Sequence, residues 1–126
     1  MTIVEKAQLP NIDIDGAVHD FLEKKSFSIE LFVNVIKECI KYVKNTGFPP
    51  KRISIQYIED IEEPSWQYLR VMLVLPVDTL KEALKIQNNF YDNAYQDIVK
   101  SSLANNNDLV NAFQKQVNIV FKHKNH

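Results

Sequence analysis

Apolar and polar residues alternate most cleanly in two neighbouring runs, Arg52–Ile61 and Gln67–Val77. Both are rich in β-branched and aromatic residues, and together they predict a β-hairpin over 52–61 and 67–77. In the second run Leu69, Val71, Leu73, Leu75 and Val77 share one face, and Tyr68, Arg70, Met72 and Val74 share the other. In the first, Ile53, Ile55 and Tyr57 stand opposite Ser54, Gln56, Ile58 and Asp60. A one-residue slip would send every side chain to the wrong face. Pairing apolar with apolar therefore needs partners whose numbers add to an even sum, such as Ile53 with Leu75, Ile55 with Leu73 and Tyr57 with Val71. The loop then runs from Glu62 to Trp66 and holds Pro64 where its missing N–H removes no ladder bond.

A lone hairpin is marginal in water, and the residues that follow supply a partner. Thr79 and Glu82 have capping-box spacing. Leu80, Ala83, Leu84, Gln87, Phe90, Tyr91, Ala94, Tyr95 and Ile98 then recur at three and four, predicting an amphipathic helix over 79–100. Packed on the Leu69–Val77 face, each buried Leu would contribute roughly 1.5 to 3 kcal/mol.

Residues 1–12 carry no period and include Pro10, so they read as an extended arm. Asp13 or Asp15 caps a short helix over about 15–25, with Val18, Phe21 and Leu22 inward. Ser28 caps a helix over 28–46 whose stripe is Ile29, Phe32, Val33, Ile36, Cys39, Ile40 and Val43. Gly47 is placed to end it and Pro49–Pro50 prevent its continuation. Ser101–Asn107 is a polar loop, and Asn107 or Asp108 caps a helix over 108–115. The end has two readings. Val117, Ile119 and Phe121 alternate as in a strand, while Leu109, Phe113, Val117, Val120 and Phe121 fit a helical stripe. The β-bias of Val117–Phe121 favours a strand over 117–122, which would also relieve the hairpin's bare edge. The expected architecture is a single α+β domain over 1–126, with a small, mainly antiparallel sheet packed with helices.

Composition narrows the function classes. The chain has 126 residues, 45% of them hydrophobic, enough to bury a core. Net charge is −1, with Lys and Arg spread along the chain, so neither nucleic acid nor an anionic membrane is the expected partner. No apolar run approaches the length of about 18 that spans a bilayer. No signal-peptide pattern opens the chain, and cytoplasmic residence is the expectation. The single Cys39 excludes an internal disulfide and fits a reducing compartment. The two glycines, Gly16 and Gly47, leave no Gly-rich loop to cradle a phosphate.

Candidate chemistry is sparse. Glu59, Asp60, Glu62 and Glu63 concentrate carboxylates at the hairpin tip, but adjacent strand positions point apart, so a solvated loop is favoured over a cation site. Asp13–Gly16 resembles the start of a calcium loop, yet Val18 and Lys24 stand where a glycine and a bidentate carboxylate are required. His19, His123 and His126 lack partners at metal-ligand spacing. Cys39 sits on an apolar stripe and reads as structural. Trp66 either anchors the hairpin tip or stands exposed for recognition; its bulk favours the anchor. No catalytic, cofactor or metal residue is assigned. The outer hairpin face remains: Gln56, Ile58, Tyr68, Arg70, Met72 and Val74 are too apolar for a solvated face and too polar for a dry core. Tyr, Arg and Met are enriched at protein contacts. An N-terminal helix covering this face would explain it equally well. The expected function is a non-enzymatic interaction or accessory module, self-associating as a homodimer or bound to another protein. The alternative is a small enzyme or ligand-binding domain whose site is assembled only in three dimensions.

Overall fold

Residues 12–63 and 66–125 are described by the computed structural model. They form β1 (Ile12–Ile14), α1 (Ala17–Lys24), α2 (Ile29–Asn45), β2 (Arg52–Glu59), β3 (Gln67–Val74), α3 (Leu80–Asn93), α4 (Tyr95–Ser102), α5 (Asn107–Gln116) and β4 (Val117–Lys122). The expected arm lies outside the described residues except for Ile12, which opens β1; the loop position of Pro64 and the polar tail residue His126 lie outside them too.

The fold is α+β, with a four-stranded sheet in the order β1-β2-β3-β4. The hairpin pair β2–β3 is antiparallel, whereas β1 joins β2 and β4 joins β3 in parallel. The sheet is thus mixed rather than mainly antiparallel, because both outer strands are reached through helical crossovers. Hairpin parity is as expected, but the register is displaced by two: Ile53 faces Leu73, Ile55 faces Val71 and Tyr57 faces Leu69. The cause is at the tip. Asp60 Oδ1 accepts the N–H groups of Glu62 (2.8 Å) and Glu63 (3.0 Å), an Asx turn that begins the loop one residue early.

Local signals end the helices where the residues demand. Ser28 Oγ accepts the Leu31 N–H, and Thr79 Oγ1 accepts that of Glu82. Gly47 adopts φ 98°, and the bonds Gly47 N–H to Lys44 O and Phe48 N–H to Val43 O complete a Schellman stop. The last helix is capped by Asn106, not by Asn107 or Asp108. Gly16 holds the N-cap position of α1, while Asp15 Oδ1 accepts the Ala17 N–H.

The helix expected over 79–100 is two helices. Ala94 turns to φ −133°, ψ −34° between α3 and α4. Its N–H still bonds Phe90 O and its carbonyl still accepts Ile98 N–H, so the axis bends with these two bonds kept. The bend serves packing: α3 lies along β4, while α4 lies against α2. Because α3 rests over an edge strand, Ala83 and Phe90 are buried, but Leu80 and Leu84 are exposed at 43% and 42%. Those two leucines do not join the buried stripe expected of them.

All five helices contribute to one apolar cluster with Ile53, Ile55, Leu69, Val71, Leu73, Val117, Ile119 and Phe121, which share a face of the sheet. Phe90 centres it, with ring contacts to Tyr42, Tyr91, Tyr95 and Phe121. Helices on one face, with strands running up, up, down, down in order, give the two parallel crossovers opposite hands. One is therefore left-handed, a sense found in only about 2% of such connections.

Candidate functional site

The hairpin register places Gln56, Ile58, Tyr68, Arg70, Met72 and Val74 together on the face away from the helices. Across the strands Met72 faces Ser54 and Val120, Arg70 faces Gln56 and Asn118, and Tyr68 faces Ile58. Strand β4 thus adds Asn118, Val120 and Lys122 to the face, residues invisible to hairpin reasoning until a parallel β4 is set beside β3. Both N-terminal helices pack on the other side: α1 brings Phe21 to Tyr57, ring centroids 5.5 Å apart, and α2 lies within the main cluster.

The face has a dry centre and a wet rim. Met72 and Val74 are 8% and 3% exposed, yet neither belongs to the main apolar cluster. Gln56, Ile58, Tyr68 and Arg70 around them are half-buried. Arg70 Nη2 donates to Tyr68 Oη at 3.4 Å, which fixes the guanidinium over the strand. Among the described residues no carboxylate lies within ion-pair distance of it.

The tip differs from expectation. Trp66 is 68% exposed and makes no ring contact among the described residues, and Ile61 in the same loop is bare. Turn closure explains this: the Trp66 backbone is held by Asp60 N–H to Trp66 O and Trp66 N–H to Glu63 O, leaving the indole outside. The tip carboxylates do not converge on a common point among the described residues. Asp60 is occupied by the turn, and Glu59 Oε2 accepts the Tyr57 hydroxyl at 3.4 Å.

Contrary to the expectation from sequence, His19 does have neighbours at ligand spacing. His19, Asp20 and Glu23 lie on one side of α1, with His19 Nδ1 3.9 Å from Asp20 Oδ1 and 3.7 Å from Glu23 Oε2. An i,i+4 His–Glu pair is ligand spacing on a helix. All three are exposed, so water competes at every donor. Cys39 is buried, and burial, with Glu38 adding, pushes its thiol up to about 12, so it is no nucleophile.

At the end of the sheet, a cleft of about 600 Å³ opens between the hairpin tip, the close of α5 and the start of β4. Trp66 and Tyr68 form one wall, Gln116 and Asn118 another, and Lys25 and Lys115 reach it from α1 and α5. Among the described residues no carboxylate lines it. Sequence reasoning missed it because its walls come from four separate elements.

Comparison with protein-family models, with curated proteins and with solved structures yields no match to this chain. No helix among the described residues is long and apolar enough to cross a membrane.

Proposed function

We propose that this chain is a non-enzymatic interaction or accessory module that works as a homodimer through the helix-free face of its sheet. The observation that carries this reading is the set of half-buried Tyr68, Arg70, Gln56 and Ile58, which keep accessible surface around Met72 and Val74 on the face that no described helix covers. Tyr and Arg are among the residue types enriched at protein contacts. A second copy is the occupant because the surface is self-complementary in charge. The same hairpin carries an Arg70 with no carboxylate within ion-pair distance among the described residues and a tip bearing Glu59, Glu62 and Glu63, as a two-fold contact requires. The eight-residue β2 and β3 and the six-residue β4 present roughly 350 Å², at about 3.3 Å per residue and about 4.8 Å between strands. That is about half of a standard interface side, so association at micromolar concentrations is expected. A lone buried thiol suits the reducing cytoplasm, where this reading places the protein.

Light scattering on wild type at tens of micromolar (about the concentration such an area demands) tests the reading. A dimer is expected, and Ile58→Glu, a charge at a half-buried position of the face, should shift it to monomer with the helical circular dichroism intact, because a desolvated unpaired charge opposes association. A wild-type monomer defeats the proposal. If Met72 then became accessible only on removal of residues 1–11, the occupant would be the chain's own N-terminus.

A further inference from the structure

The cleft beside Trp66 borders the association surface, sharing Tyr68 and Asn118 with it, and adds Trp66, Gln116, Lys25 and Lys115. Its volume, about 600 Å³, lies in the range of small-ligand sites. Its two cations come from different helices, Lys25 at the C-cap of α1 and Lys115 in the last turn of α5. At those ends each offsets the partial negative charge of helix carbonyls. That role does not need both ammonium groups on one cleft with no carboxylate among the described residues of its lining. Among the described residues neither lysine has an acid within ion-pair distance. Lys25 Nζ is instead held 5.8 Å from the centroid of the Phe21 ring. Beside the two charges stand an indole two-thirds exposed and Tyr68, and Gln116 and Asn118 complete the polar lining. An exposed indole loses apolar surface to water unless something planar covers it, and stacking with cationic support is how proteins hold ringed anions.

We infer that this cleft binds a small planar-ring anion, an aromatic or heterocyclic ring carrying a phosphate or carboxylate, stacked on Trp66 and neutralised by Lys25 and Lys115. Trp66 is the only tryptophan in the chain, so a change in its emission arises at the cleft and the hairpin tip beside it. The test is a fluorescence titration of the full chain with adenosine monophosphate, benzoate, adenosine and inorganic phosphate, repeated by calorimetry. Saturable quenching by adenosine monophosphate or benzoate is expected, and which of them binds identifies the phosphate or carboxylate source. Adenosine and inorganic phosphate should each bind at least tenfold more weakly. The double variant Lys25→Gln, Lys115→Gln should weaken binding at least tenfold with an unchanged thermal melt. No saturable response to either ringed anion overturns the inference. So does adenosine binding as tightly as its monophosphate, or a double variant that binds like wild type. The dimer stands or falls separately, by light scattering.

Discussion

The side-chain carbonyl of Gln87 accepts the backbone N–H of Phe121 at 2.9 Å, so helix α3 closes the open edge of β4. One turn further on, Tyr91 donates its hydroxyl to Ile119 O at 2.5 Å. Two residues spaced i,i+4 on one helix thus meet alternate outward-facing groups of an edge strand. An uncovered edge is a template for pairing with another chain. The sequence stripe assigns both positions to the buried side, and their polarity is explained by this edge.

Removing the acceptor should leave a part-buried donor unpaired. Gln87→Ala is expected to destabilise by about 1 to 3 kcal/mol, and Tyr91→Phe by about 0.5 to 1.5 kcal/mol. Urea denaturation followed by circular dichroism measures both. If Gln87→Ala melted like wild type, the edge contact would carry no weight.

Parity makes a second prediction. Leu73 is fully buried between Ile53 and Phe121, whereas Gln56 lies half-buried on the other face. Leu73→Ala should lose about 2 to 5 kcal/mol, as large-to-small core changes do. Gln56→Ala should stay within about 1 kcal/mol in the protomer, a surface-type effect. Equal losses would contradict the assignment of faces.

What the sequence disclosed follows from which forces are local. Caps at Ser28 and Thr79, the Gly47 stop and the alternation of β2 and β3 act over a few residues, and each is found where the residues place it. Parity restricts the register only to steps of two, and the Asp60 carboxylate, not the apolar pattern, chose among them. Strand β1 was missed because Ile12–Ile14 is too short to show a period. Its strand character comes from β2, extended by Asp15 N–H to Ile55 O and by Asp15 Oδ2 accepting Tyr57 N–H. The bend at Ala94 carries no Gly or Pro mark, since it answers to two different packing partners. The outer face was legible because period two suffices to assemble it; the cleft needs four elements at once.

Burial of Cys39 gives stability a defined dependence on pH. Its thiol is raised from 9.0 to about 12, so the folded state keeps the proton to higher pH than the unfolded chain. Burial raises Tyr91 and Tyr95 in the same sense. These groups leave stability intact below pH about 9 and remove it as pH rises towards 12. Urea midpoints should therefore fall across that window, and Cys39→Ala should flatten part of the fall. At pH 8 native Cys39 should resist dithionitrobenzoate and react once the chain is unfolded. Stoichiometric labelling of the native protein within minutes would show an open helix α2.

Charge supplies the sharpest test of self-association. Arg70 is half-buried, bonded to Tyr68 and without a carboxylate within ion-pair distance among the described residues. A guanidinium enclosed by a second copy needs an acceptor, because a desolvated unpaired charge opposes binding. The exposed tip residues Glu62 and Glu63 can supply it, since the turn engages their backbone groups, both N–H groups and the Glu63 carbonyl, rather than their carboxylates. Arg70→Glu should then weaken the dimer at least about tenfold, or about 1.4 kcal/mol. Reversing the tip as well, with Glu62→Lys and Glu63→Lys in the Arg70→Glu background, should restore most of the affinity. Asp60 is left untouched because the loop depends on it. Sedimentation velocity of the four proteins distinguishes the cases. Failure of the triple variant to dimerise, with Arg70→Glu monomeric, would move the acceptor of Arg70 from the partner's tip to another group on the same face.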